Sequence, residues 1–206
     1  MIRNHEIQAL FAEPFFRANV ADEITPDQIE YIKKLKMVRN QTNLISENLY
    51  IFEEPELASI KAVIQDALDY YAKEVLGIPQ RLVVTQSWSL INEPGVGMHS
   101  HSHSNSVVSG SLYYCDIPQP SSKMVFERHS SYQQLQLLPD AERRNLYNTP
   151  VNVMEPQAGE VFLFSSRLQH FVEANTSNQP RYSIAFNSFV KGTLGNFRDV
   201  SELKIL

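Results

Sequence analysis

Three histidines alternate with serines in residues 97–105, at His99, His101 and His103. In an extended strand, successive side chains point to opposite faces, so imidazoles at alternate positions project from the same face. Imidazole nitrogen is a common ligand of iron, zinc and copper. The spacing therefore predicts a metal site to which one strand contributes two neighbouring ligands.

Two residues further along the chain extend this pattern. His170 offers a distant third ligand, and Arg181 follows it by eleven positions. A guanidinium is a planar fork that binds a carboxylate bidentately, and it stays charged at any relevant pH. In a strand Arg181 and Ser183 point to the same side, so both can reach one anion inside a barrel. Together these residues indicate a mononuclear metal site beside an anion-binding pair.

An interpretation without a dedicated metal site also fits the histidines. Alternating serine and histidine is typical of a solvated polar strand with incidental affinity for metals. Arg181 follows Pro180 and so also suits an exposed strand start. His5 and His129 stand outside the pattern and are predicted to be surface residues.

The elements that must position these residues change character near residue 81. Before residue 81, we expect residues 7–20 to be extended, with an interruption at Pro14. A first helix is expected to begin with Thr25 as its cap and Pro26 in its first position. A second, amphipathic helix is expected to span 55–76. After residue 81, period-two patterns bounded by turn residues predict eight strands. They are expected at 82–91, 98–103, 107–116, 123–127, 151–155, 160–165, 169–174 and 181–190.

Eight short antiparallel strands preceded by helices predict a mainly β fold, a double-stranded β-helix (jelly roll) packed by N-terminal helices. We expect a single domain over residues 1–206, with a strand and supporting helices in 1–80, the jelly-roll core in 81–190 and a tail in 191–206. Residues 128–150 are too long for a hairpin turn and suit either a lid or a surface helix packed on the barrel.

The composition narrows the classes of molecule that this protein is expected to bind. The net charge of −5 and the lack of a long Lys/Arg cluster argue against nucleic-acid binding. Cys115 is alone, which excludes a disulfide framework and indicates a reducing compartment. No signal peptide or membrane-spanning run is evident, so we expect a cytoplasmic protein that acts on a small-molecule or peptide substrate. The sequence indicates no oligomeric state.

Over residues 86 to about 190 the chain resembles the iron(II)- and 2-oxoglutarate-dependent oxygenases, in their prolyl-hydroxylase-like branch. Closer still is a family of 2-oxoglutarate–Fe(II) oxygenases of bacteria and their phages. The order and spacing of several short pieces carry the resemblance. The pieces are Trp88 and Asn92, Gly97 four before His101, His101-Ser-His103-Ser-Asn-Ser, Ser109-Gly-Ser-Leu-Tyr-Tyr114, Pro156 with Gly159-Glu-Val-Phe-Leu-Phe164, His170, and Arg181-Tyr-Ser183.

The resemblance implies a non-haem Fe(II) centre held by His101, His103 and His170. His103 stands where the family pattern has a carboxylate, so the local site would carry a charge of about +2 rather than +1. Three neutral imidazoles can still hold iron with three positions open. One alternative triad is His99, His101 and His170, and another takes an acid from elsewhere, such as Asp116 or Glu160.

The resemblance also implies a binding site for 2-oxoglutarate as co-substrate. Arg181 and Ser183 would anchor its far carboxylate together with the hydroxyl of Tyr114, which leaves Tyr113 facing the other way. Asn92 would contact the metal-proximal end.

The implied activity is that of an oxidoreductase, a dioxygenase that releases succinate and CO2 and hydroxylates a protein side chain or a small amino-acid-like substrate. Two alternatives remain open from the sequence. One is a three-histidine thiol dioxygenase of the cupin type without 2-oxoglutarate; the other is a non-catalytic jelly-roll module that binds a metal or ligand.

Overall fold

The computed structural model describes residues 5–128 and 138–205, and in these ranges the chain forms twelve strands and two α-helices. The helices are α1 (Pro26–Lys33) and α2 (Ala58–Tyr70). The strands are β1 (Phe15–Asn19), β2 (Met37–Arg39), β3 (Leu44–Ser46), β4 (Arg81–Asn92), β5 (Met98–His101), β6 (Val108–Leu112), β7 (Met124–Glu127), β8 (Val151–Met154), β9 (Glu160–Ser165), β10 (His170–Val172), β11 (Arg181–Leu194) and β12 (Leu203–Ile205).

The strands form two sheets whose facing parts are a jelly roll. The major sheet has the order β1-β9-β6-β11-β4-β3-β2, with β12 paired to β11, and the minor sheet has the order β5-β10-β7-β8. All registers within them are antiparallel. The eight strands β4 to β11 supply four members to each sheet. The predicted double-stranded β-helix is therefore confirmed.

The two predicted helices cover the outer face of the major sheet. In α1, Thr25 and Gln28 exchange side-chain-to-backbone hydrogen bonds of 3.1 and 3.3 Å, which is a capping box, and Pro26 follows the cap. In α2, Ile60, Ile64 and Leu68 form the buried stripe. Neither helix combines the length and apolarity that crossing a bilayer requires, within the residues described.

Strand β9 shows how the molecule divides into two hydrophobic layers. Val161 and Leu163 pack against the helices in the larger cluster, whereas Phe162 and Phe164 point between the sheets into the smaller one. Both faces of β9 are buried, which explains its continuous apolar sequence. The space between the sheets beside the smaller cluster is where the site lies.

Several parts of the chain differ from expectation. Residues 37–46 add two short strands to the major sheet, and the predicted tail contains the end of β11 and all of β12. The second helix begins with a 3-10 turn at Pro55–Leu57 and ends with a π-helical turn at Tyr71–Leu76. Residues 129–137 of the predicted lid segment, among them His129, lie outside the described residues. In the described remainder of that segment, Ala141–Arg143 forms an exposed 3-10 turn.

Candidate active site

Two of the predicted ligands come from neighbouring strands of the minor sheet. His101 ends β5, His170 begins β10, and the two residues are direct partners in the antiparallel register. Opposed residues of an antiparallel pair project to the same face, so both rings enter the space between the sheets. One nitrogen from each of His101, His103 and His170 lies within 4.8 Å of the others, a spacing that one ion can bridge.

The backbone fixes which nitrogen of two rings is available. Nδ1 of His101 lies 2.8 Å from the carbonyl oxygen of His99, and Nδ1 of His170 lies 2.9 Å from that of Leu168. A carbonyl only accepts, so each Nδ1 must donate its hydrogen. This leaves the lone pair on Nε2, the tautomer that a metal-binding histidine needs.

His103 follows the end of β5 and is held by a loop. Its ring centroid lies 5.1 Å from that of His101 and 5.2 Å from that of His170. Burial lowers the pKa of His103 to about 3 and that of His170 to about 4, and it also lowers the pKa of His101. All three imidazoles are therefore neutral at neutral pH, as metal ligands must be.

The alternative ligands lie elsewhere. His99 is exposed, and its contribution is the carbonyl that orients His101. Glu160 forms an ion pair with Arg17 at 2.7 Å. Asp116 borders a separate groove with Cys115. Neither acid joins the histidine group, so imidazoles alone converge in the described part of the chain.

A narrow cavity runs from the histidines to Arg181. The guanidinium carbon of Arg181 lies 5.0 Å from the ring centroid of Tyr113, and the side chain is 2% exposed. Within the described residues, the Nε atom of Arg181 and the hydroxyl of Tyr113 are buried without hydrogen-bond partners. Ser183 lines the same end. Buried donors without partners are rare and costly, so this end of the cavity suits a carboxylate group.

The structure places Tyr114 outside the cavity, which differs from expectation. Side chains alternate along β6 and the two residues after it, so Ser111 and Tyr113 line the cavity while Leu112 and Tyr114 join the core beneath the helices. Burial raises the pKa of Tyr113, whose hydroxyl thus remains a donor. The serines that alternate with Val108 and Leu112 were the available signal, because they mark the polar face of this strand.

The position of Asn92 also differs from expectation. Asn92 is the register partner of Arg181, which puts it at the guanidinium end of the cavity rather than beside the histidines. Its Oδ1 atom accepts a 3.5 Å hydrogen bond from Asn43, a lining residue that no sequence motif marked. Trp88, with its ring centroid 6.5 Å from that of His103, completes the wall near the histidines.

Comparison with known proteins gives a family and a fold. Residues 86–187 match the family model described as “Putative 2OG-Fe(II) oxygenase”. No curated protein matches the chain in sequence.

Three solved structures share the fold at low identity. An oxidoreductase of the 2OG-Fe(II) oxygenase family from Burkholderia pseudomallei has a TM-score of 0.60 and 12% identity, with 84% of this chain and 83% of that one covered. HygX from Streptomyces hygroscopicus, with nickel, 2-oxoglutarate and hygromycin B bound, has a TM-score of 0.59 and 15% identity over 85% and 82%. A prolyl-4-hydroxylase from Pseudomonas putida has a TM-score of 0.57 and 14% identity over 87% and 94%.

The matched stretch runs from β4 into β11 and contains every residue that lines the cavity except Asn43, including the histidines at one end and the arginine at the other. Through this part, the chain belongs to the family of 2OG-Fe(II) oxygenases.

Proposed function

We propose that this protein is a non-haem dioxygenase that binds Fe(II) through His101, His103 and His170 and uses 2-oxoglutarate to hydroxylate a C–H bond. One observation carries the proposal. Three neutral imidazoles converge at one end of a cavity whose other end holds the buried guanidinium of Arg181. A small dianion that chelates a metal through one end and pairs with arginine through the other matches both ends.

The protein would bind the co-substrate through residues of the major sheet. Arg181 would pair with the far carboxylate, while Tyr113 and Ser183 donate hydrogen bonds to it; charge-assisted bonds of this kind are the strong ones. Asn92 would lie beside this group. These contacts would hold the 2-oxo acid end toward the histidines, so that the reacting groups meet in one orientation.

The histidines would determine the net charge of the metal centre and which of its coordination positions stay open. When bound, Fe(II) supplies the site at which 2-oxoglutarate and dioxygen react, giving succinate, CO2 and a hydroxylated product. Three neutral imidazoles leave the ion's charge of +2 uncompensated, which strengthens attraction to a dianion. Trp88 and Phe164 line the cavity beside the histidines, and their rings would limit the access of water to the metal.

The substrate that we propose is a protein side chain or a small amino-acid-like molecule, and not a nucleic acid. The shared fold with a prolyl-4-hydroxylase supports this choice. The net charge of −5 disfavours a phosphate backbone as partner. The free Cys115 suits a reducing compartment, in line with a cytoplasmic location.

The test is anaerobic calorimetry with 2-oxoglutarate on protein loaded with Ni(II), followed by an aerobic assay of succinate release with Fe(II). We expect metal-dependent binding, competition by N-oxalylglycine and slow succinate formation. Binding of neither compound would refute the proposal. Oxidation of a thiol without 2-oxoglutarate would instead identify a thiol dioxygenase, and binding without any turnover would identify a non-catalytic module.

A further inference from the structure

The third histidine is positioned differently from the other two. His101 and His170 sit in paired strands, whereas His103 lies in the loop between β5 and β6. The loop closes on one residue: the N–H of His103 donates to the carbonyl of Ser166 at 2.9 Å, and the N–H of Ser166 donates to the carbonyl of Val107 at 3.1 Å. Ser166 therefore holds both ends of the segment that carries His103.

A cluster of hydroxyl groups reinforces this attachment. The Oγ atom of Ser166 lies 2.7 Å from that of Ser106 and 2.8 Å from that of Ser109. Ser109 in turn donates to the Oδ1 atom of Asn187 at 2.9 Å. Ser109 and Ser166 are each 1% exposed. We call Ser106, Ser109 and Ser166 the serine cluster.

The donors and acceptors of the cluster balance without water. Asn187 Oδ1 can only accept, so the hydrogen of Ser109 must point to it. Ser106 can donate to the carbonyl of Ser188 at 3.1 Å, which leaves Ser166 to donate to either of its partner hydroxyls. Each hydroxyl thus has an acceptor for its hydrogen. Removal of Ser109 would leave the Oδ1 atom of Asn187 without its donor, and removal of Ser166 would delete the hydroxyl that bridges Ser106 and Ser109.

Asn187 connects the cluster to the major sheet at an irregular point. The register of β11 with β4 shifts between Asn187 and Ser188, and Val107 donates to the Ser188 carbonyl at 2.9 Å. Bulges of this kind re-aim side chains near functional sites. The loop that carries His103 follows β5 of the minor sheet and is attached by these hydrogen bonds to the major sheet.

We propose that the serine cluster, anchored on Asn187, is a positioning device that aims the imidazole of His103 at the metal. The proposal rests on the metal site proposed above. The residues of the serine cluster and Asn187 would contact neither the metal nor the co-substrate, and they would act on His103 through the loop. Without the cluster, the loop would sample more conformations, and the cost of ordering it would be subtracted from metal affinity.

The experiment compares Co(II) binding by Ser166→Ala and Ser109→Ala with wild type, through chelator competition and the visible spectrum of the bound ion. We expect the dissociation constant to rise about 10-fold and the Co(II) bands to shift, since partners that orient ligands commonly contribute 10- to 100-fold. Ser109→Thr keeps the hydroxyl and should bind as wild type does.

The matched control is Ser87→Ala. Ser87 is also 1% exposed, and its hydroxyl accepts from the N–H of Phe52 at 2.9 Å. It lies away from the cavity, so its loss should lower the melting temperature without changing Co(II) affinity or spectrum. If both cluster variants match wild type in affinity and spectrum, the positioning role is wrong although the metal site stands. Wild-type protein that fails to bind Co(II) would overturn both proposals. If Ser166→Ala does not fold, the Ala and Thr variants of Ser109 decide the question.

Discussion

His101 and His170 face each other across β5 and β10, and each donates its Nδ1 hydrogen to the carbonyl of the residue two positions earlier. Both rings are thus set in place by the backbone before any ion arrives. A preformed pair needs little ordering on binding, which favours affinity. Metal binding should accordingly depend on these rings more than on any exposed histidine.

The first prediction concerns the metal ligands. Replacement of His101, His103 or His170 by alanine should weaken Ni(II) or Co(II) binding by more than about 100-fold, because loss of a ligand exceeds the loss of a supporting partner. His99→Ala is the control and should retain affinity, since only its carbonyl is used. Titration calorimetry measures both. Loss of binding in His99→Ala with retention in His103→Ala would establish the other triad.

The second prediction concerns the anion end. Arg181→Gln should weaken 2-oxoglutarate binding to metal-loaded protein by at least about 30-fold, which corresponds to roughly 2 kcal/mol for a truncated buried charge pair. Arg181→Lys keeps the positive charge but lacks the planar fork, so its affinity for 2-oxoglutarate should lie between those of wild type and Arg181→Gln. The control is Arg81→Gln at the start of β4, which removes an exposed ion pair with Asp69 of α2. Unchanged affinity in Arg181→Gln would exclude this residue from the site.

The third prediction uses two adjacent tyrosines as a matched pair. Both are buried, but only Tyr113 lines the cavity. Tyr113→Phe should raise the dissociation constant of 2-oxoglutarate about 10-fold, the value of one hydrogen bond to a charged group. Tyr114→Phe should leave it within about twofold. The reverse ranking, measured on metal-loaded protein, would mean that the strand faces are assigned the wrong way round.

The fourth prediction tests the packing of β6 on β11. A methyl group on Gly110 would lie 2.6 Å from an atom of the Phe186 ring and 2.7 Å from the carbonyl oxygen of Phe162. Gly110→Ala should therefore lower the free energy of unfolding by about 1–3 kcal/mol. Phe186→Leu in the same protein should recover part of the loss by vacating space. Urea denaturation measures the stability of both variants, and an unaffected Gly110→Ala would show that Gly110 packs less tightly against Phe186 and Phe162 than described.

Local pattern was enough to predict the strands of the jelly roll and the spacing of the histidines. Both depend on period-two alternation, which is visible within a few residues. Local pattern could not decide between Tyr113 and Tyr114, because that choice depends on which face of β6 points into the cavity. Asn43 escaped detection for a similar reason, since it meets Asn92 across 49 positions of sequence. Strands of three residues, such as β2 and β12, are too short for a pattern to emerge.

The site draws its histidines from the minor sheet and its following loop, and its arginine and tyrosine from the major sheet and the residue after β6. A ligand that spans the cavity would therefore connect the minor sheet to the major sheet. Metal alone engages the minor-sheet side, so the larger rise in melting temperature should require co-substrate as well. At 100 times the dissociation constant such a ligand adds about 2.7 kcal/mol to the native state. Slowed amide exchange in β5 and β10 would then report occupancy of a site whose anchor lies on the opposite sheet.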